Sequence, residues 1–166
     1  MLTRLRVSGF KNLRNVDLKF GPFTCIAGPN GVGKSNLFDA ILFLSNLSSM
    51  PIMKAAGLAR GTNGRASDFA SLFAREKGPN QEFMEFAVEM IVSGDVVDDF
   101  DRPARPTATF LEYSLTLRLN RDSGDSFSRD PISIEKEELR AQPSSESDRI
   151  LEFPQRKQLP RRFIFG

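Results

Sequence analysis

Apolar and polar positions alternate at both ends of the described pattern and cycle helically between them. Residues 2–7 set Leu2, Arg4 and Arg6 loosely against Thr3, Leu5 and Val7, and Val16-Asp17-Leu18-Lys19-Phe20 alternates cleanly. A period of two places successive side chains on opposite faces, so each stretch predicts a half-buried strand, with Gly9-Phe10 opening the turn between them. After the break at Gly21-Pro22, Phe23-Thr24-Cys25-Ile26-Ala27 is a short run of β-branched, aromatic and small residues, which predicts a buried strand. From Asn36 the period changes. Leu37, Ile41 and Leu44 recur three and four apart, as on one face of a helix.

Farther along, residues 50–78 are rich in Gly, Ala, Ser and Arg, with a short helix predicted over 67–73. Residues 82–92 and 109–120 read as strands and as an antiparallel pair, and Ile132-Ser133-Ile134-Glu135 as another strand. The segment 94–107, with Asp95, Asp98, Asp99, Asp101, Pro103 and Pro106, has the composition of an exposed loop. A polar turn is predicted over 120–128 and a disordered connection over 141–147.

Between the predicted strand and helix lies Gly28-Pro29-Asn30-Gly31-Val32-Gly33-Lys34-Ser35, which fits the template G-x-x-x-x-G-K-[ST]. Strand, glycine loop, helix is the order in which that loop captures an anion. Glycines let successive backbone N–H groups converge on phosphates, and the positive end of the helix adds its field. Lys34 is the mobile cation for the β- and γ-phosphates, and the Ser35 hydroxyl a ligand for Mg²⁺. The expected cofactors are ATP and Mg²⁺.

Composition narrows the chemistry. The chain has 166 residues, 40% hydrophobic and 27% charged, enough for one domain with a core. It contains no histidine, which removes Ser-His-Asp and Cys-His catalysis and histidine zinc sites. Its single cysteine, Cys25, excludes disulfides within the chain and is expected to be a small buried residue of the loop strand. No apolar run approaches the ~20 residues of a membrane span, and Arg4, Arg6, Lys11 and Arg14 break up the start, so a cytoplasmic location without a membrane is expected. A net charge of +2 means that contact with nucleic acid would need a local patch. The candidates are Arg60 and Arg65, and a cluster of Arg156, Lys157, Arg161 and Arg162 around Phe153 and Phe163; solvated arginines and the charged flanks of a strand are the competing explanations.

Residues 1–47 resemble the amino-terminal lobe of the ABC-type P-loop ATPase heads of the RecF, SMC and OLD-like group. The resemblance rests on an initial strand at 5–8, Gly9-Phe10-Lys11-Asn12, a second strand at 16–20, and Gly28 to Asn36, in that order and spacing. Residues 58–69 and the strands ending in Ile134-Glu135-Lys136-Glu137-Glu138-Leu139 resemble the group more faintly. The resemblance implies an α/β lobe with an antiparallel β subdomain, incomplete as an ATPase head. It also implies nucleotide contacts at Lys11, Asn12, Asn30, Gly31, Val32, Gly33, Lys34, Ser35 and Asn36, although Lys11 and Asn12 fit a plain turn equally well.

The hydrolytic half is missing. A P-loop ATPase needs an apolar strand ending in acids that hold Mg²⁺ and activate water, and the nearest string, Val96-Val97-Asp98-Asp99, reads as loop. The Ser-Gly-Gly signature, the terminal histidine switch and a convincing glutamine loop are also absent. The chain therefore reads as one amino-terminal lobe of a longer ATPase: 1–47 with the phosphate loop, 48–140 with antiparallel strands, and 141–166 as a polar connection and final strand. The family implies ATP-dependent head-to-head dimers in DNA maintenance or phage defence, with DNA, a nuclease or another effector as partners. The alternatives are a nucleotide-gated assembly module and, ranked last, a P-loop small-molecule kinase.

Overall fold

The computed structural model describes residues 1–59, 69–75, 78–98, 100–120 and 130–143. A five-stranded antiparallel sheet carries two helices on one face. In chain order the elements are β1 (Leu2–Ser8), β2 (Val16–Lys19), α1 (Lys34–Leu47), α2 (Ile52–Leu58), a 3₁₀ turn (Ala70–Leu72), β3 (Phe83–Ile91), β4 (Val96–Val97), β5 (Pro103–Ala104), β6 (Phe110–Leu119) and β7 (Ile132–Ala141). The sheet order is β2-β1-β3-β6-β7, with β1 central to the early half and β3 bridging to the late half.

The alternation in β1 becomes its burial: Thr3, Leu5 and Val7 are buried while Arg4, Arg6 and Ser8 are not. Leu5 pairs with Val88 and Val7 with Phe86, which lines up the apolar faces of β1 and β3. Phe86 in turn faces Leu115, and Leu117 faces Met84, so one continuous apolar face runs across three strands. Helix α1 lies on that face through Leu37, Ala40 and Phe43. Phe10, Phe43 and Phe86 meet with ring centroids 5.6–6.0 Å apart, joining turn, helix and sheet. Of the predicted stripe only Leu37 is fully buried; Ile41 and Leu44 lie at its margin, because the sheet takes the face one residue around.

The other face of the sheet is charged. Arg4 bonds Asp17 at 2.7 and 2.8 Å and reaches the buried Glu89 at 3.3 Å, while Arg6 bonds Glu112 at 2.7 Å. Glu89 lies buried beside these two guanidinium groups of the neighbouring strand, while Arg6 also bonds Glu112, the register partner of Glu89 on β6. The guanidinium of Arg4 holds the Asp17 carboxyl below its ordinary value.

Most of the predicted strands stand, and five details differ. The run Phe23-Thr24-Cys25-Ile26-Ala27 forms no strand, and Phe23 is 88% exposed. Cys25 is likewise exposed and not buried as expected. A buried strand of this kind needs neighbours on both sides and cover on both faces, and among the described residues no strand pairs with it. The short helix expected over 67–73 is a single 3₁₀ turn within the described part, Ala70–Leu72. The loop 94–107 holds a two-residue hairpin, β4 with β5, exposed throughout, where Asp98 accepts from Phe100, Arg102 and the Arg102 side chain. Strand β7 runs past Glu135 to Ala141, so the predicted connection begins later. The predicted turn at 121–128, the connection at 144–147 and the final strand lie outside the described residues.

Candidate phosphate-binding site

The glycine loop and the first turn of α1 form the site. Gly33 caps the helix at φ +111°, and the Leu37 amide donates to its carbonyl at 2.9 Å, which opens the helical ladder. A Cβ on Gly33 would stand 2.9 Å from Asn12 Oδ1, so a side chain is strained by the backbone angle and would force Asn12 to shift. Gly31, at φ +81°, meets nothing within 4 Å and leaves the mouth of the loop open. No acidic residue occupies the first turn of α1, which keeps the helix end favourable for an anion.

Lys34 curls over the loop, its Nζ donating to the carbonyls of Gly28 and Pro29 at 2.6 Å each. That places an ammonium above the loop backbone, exposed and within reach of an incoming anion. The Ser35 residue is exposed next to it, and Asn30, Gly31 and Val32 form the exposed rim. Asn36 Nδ2 donates to Asn12 Oδ1 at 2.8 Å, which ties the helix to the turn between β1 and β2. That turn is itself held: the Lys11 amide donates to Leu72 O at 2.6 Å, and Ala74 to Gly9 O at 2.7 Å.

Lys11 occupies a left-handed backbone angle of +51°, and its side chain is largely buried. Its Nζ donates to Asp39 Oδ2 at 2.6 Å and to Ala59 O at 2.9 Å, and lies 5.4 Å from the centroid of the Phe10 ring. The structure thus brings Asn12 and Asn36 together beside Gly33, and sets Lys11 against α1 and the end of α2. Asp39 is the residue that the sequence pattern did not single out. Its one available signal is its spacing, four residues after Ser35 and therefore on the same helical face.

Arg60, Arg65 and the basic cluster at 156–162 lie outside the described residues. Val96 and Val97, read as loop, are exposed in the short hairpin, and Asp98 accepts from a surface turn, so 96–98 do not form an acid-bearing core strand. Among the described residues no group of three or more Cys, Asp or Glu is placed to hold a metal, and no helix is long and apolar enough to cross a membrane. A groove of about 450 Å³ opens between α1 and the sheet, lined by Leu2, Leu5, Leu44, Met90, Tyr113 and Leu139. Its walls are apolar and it includes no residue of the glycine loop, so it is not the phosphate site.

An antiparallel sheet backing a helix that starts from a G-x-x-x-x-G-K-S loop defines a P-loop nucleotide-binding lobe. Residues 1–95 match the RecF/RecN/SMC N terminal domain, more than half of the chain. The chain belongs to that family, and it is the amino-terminal lobe of an ABC-type ATPase head. It is 36% identical over 86 residues to the chromosome partition protein Smc of Methanocaldococcus jannaschii, covering 49% of this chain and 7% of that protein. It is 40% identical over 77 residues to the DNA replication and repair protein RecF of Paenarthrobacter aurescens, covering 46% and 19%. Over 41 residues it is 51% identical to the OLD nuclease of Thermus scotoductus, covering 25% and 8%. A solved structure from a study of ATP-driven dimerization and DNA-stimulated activation of SMC ATPases overlaps 70% of this chain and 63% of that one, at 26% identity and a TM-score of 0.46. The chain thus spans less than a fifth of the length of these curated relatives.

Proposed function

We propose that this lobe binds Mg²⁺-ATP through Asn30, Gly31, Val32, Gly33, Lys34, Ser35 and Asn36, as one part of an ATPase acting in DNA maintenance. The observation that carries this is the Gly33–Lys34 step: a left-handed glycine at the start of α1 where any side chain is strained, followed by an ammonium folded over an exposed loop. The donor set fits the group. Backbone N–H groups and the helix end meet phosphate oxygens, Lys34 exchanges two neutral carbonyls for charged phosphate, and the Ser35 hydroxyl is a suitable single ligand for a Mg²⁺ that phosphates and water also hold. When bound, Mg²⁺ supplies charge neutralisation between the β- and γ-phosphates. Asn12 steadies the cradle from behind through Asn36.

The sequence offers no apolar strand ending in paired acids, and we assign this lobe ATP binding with little turnover of its own. In the whole protein, a further lobe supplies them and two heads close on nucleotide. The names of the relatives, in chromosome partition and in DNA replication and repair, support DNA as the object of that cycle. The 41-residue match to a nuclease favours a second reading, in which nucleotide gates assembly with a nuclease or another effector. A small-molecule kinase is disfavoured by the antiparallel strands that precede and back the phosphate loop.

Calorimetric titration of the chain with Mg²⁺-ATP, with phosphate release followed in the same samples, tests this. Saturable binding without turnover supports the reading. Brisk turnover by the isolated chain, or binding that is unchanged in Lys34→Ala, overturns it.

A further inference from the structure

One row of side chains crosses the apolar face of the sheet, formed by Leu5, Val88, Tyr113 and Leu139 on β1, β3, β6 and β7. Leu5 and Val88 are buried, Tyr113 is half-buried, and Leu139 is 62% exposed, so cover runs out toward β7. The groove of about 450 Å³ is this thinly covered half, walled on the helix side by Ile41, Leu44 and Leu47, all partly buried at the margin of the core. Apolar surface of this kind gains by being covered, and two observations say what covers it.

The first is place. Leu139 lines the groove, β7 ends two residues later at Ala141, and the Gln142 amide donates to Phe110 O at 2.9 Å, so the chain leaves the sheet beside the groove. Residues 144–149 are all polar, and the next apolar side chains are Ile150 and Leu151, followed by Phe153. The eight residues from Gln142 to Ile150 reach roughly 25 Å when extended, ample for a return to Leu139. The second is charge. Among the described residues Glu137 is the one charged group on the groove walls, and Tyr113 Oη donates to its Oε1 at 2.7 Å. A carboxylate so held can still accept from a cation through its other oxygen. Arg149 stands immediately before Ile150-Leu151, so a cation beside an apolar pair is matched to a carboxylate beside an apolar groove.

We infer that the groove is an internal docking surface for residues 149–153 of the same chain, which lie outside the described residues: Ile150 and Leu151 supply its cover and Arg149 meets Glu137. The inference does not depend on nucleotide binding.

The test is disulfide trapping in the whole 166-residue chain carrying Cys25→Ser, without nucleotide. Ser45→Cys sets one thiol on the exposed helix wall of the groove, and Leu151→Cys sets the other on the segment. Under mild oxidant this pair should close within one chain about tenfold faster than a control pair of Lys19→Cys with Leu151→Cys, because docking raises the local concentration of one thiol at the other. The control thiol lies on β2, at the opposite edge of the sheet. Arg149→Glu should slow closure about threefold, and adding Glu137→Lys should restore the rate, as expected of an exposed ion pair. Non-reducing gels and peptide masses separate links within a chain from links between chains, and thermal unfolding is recorded for each variant. If the first pair does not fold, Ser48→Cys with Ile150→Cys replaces it. Closure no faster than the control overturns the inference and leaves the groove to a separate partner. Links formed between chains instead overturn it as well, and make the groove an interface between copies.

Discussion

The turn at Gly9–Leu13 and the stretch at 21–30 both flank the phosphate loop, yet one is bolted down and the other lies open. Phe10 is fully buried against Phe43 and Phe86, Lys11 is paired, and the turn is bridged to Phe73. The stretch leading into the loop has Phe23 and Cys25 exposed and no strand pairing among the described residues. The difference shows that the cradle is positioned from its helix side, through α1 and the turn that α1 packs on. The upstream side is largely exposed, touching the rest through Ile26 at the margin of the core and the Gly28 and Pro29 carbonyls that receive Lys34.

The largest expected break comes from the bolted side. Phe86→Ala removes a ring shared by turn, helix and sheet and should cost about 3–5 kcal/mol in denaturant unfolding. Next, Lys34→Ala should weaken Mg²⁺-ATP binding on the order of a hundredfold by calorimetry, close to 3 kcal/mol, with thermal stability unchanged. Gly33→Ala comes third, at about 1–3 kcal/mol, because an alanine there is strained at φ +111° and meets Asn12. Adding Asn12→Gly should recover the steric part, and failure to recover any would place the whole cost in the backbone angle. On the open side Phe23→Ser should change stability by no more than about 0.5 kcal/mol; a larger loss would show that the stretch packs somewhere after all.

A comparably small effect is one of pH. The Arg4 guanidinium lowers the Asp17 carboxyl, chiefly through their hydrogen bond, from its ordinary 3.8. A lowered folded value means that the pair stabilises fully above about pH 4 and that this is lost as pH falls through the folded value. Asp17 is half exposed, so the share is about 0–1 kcal/mol after solvent screening, and Asp17→Asn should flatten the acid limb of the stability curve by that much.

The same contrast explains what the sequence could tell. Alternation in β1, β2 and β6 was legible because one face of each strand meets core and the other meets water or charge. The run Phe23-Thr24-Cys25-Ile26-Ala27 carries no such regular contrast, and a mostly apolar run states only that it wants cover, not that these residues supply it. The phosphate loop was legible because backbone geometry dictates its residue types directly. The Lys11–Asp39 pair was not, since 28 residues separate its partners and neither stands in a pattern that names the other.

The sheet order also sets a timetable for synthesis. As the chain emerges, β1 can pair at once with β2, thirteen residues separating Arg4 from Asp17, but its second edge waits for β3, where Thr3 Oγ1 bonds Glu89 O across 86 residues. The phosphate loop and α1 are therefore made before the strand that supplies Phe86 and Val88 beneath them. At ~5–20 residues per second, several seconds pass with the face of Leu37, Ala40 and Phe43 uncovered. A nascent chain in that interval presents a sticky helix attached to a lone hairpin, and a chaperone that binds apolar helices would have its opening there.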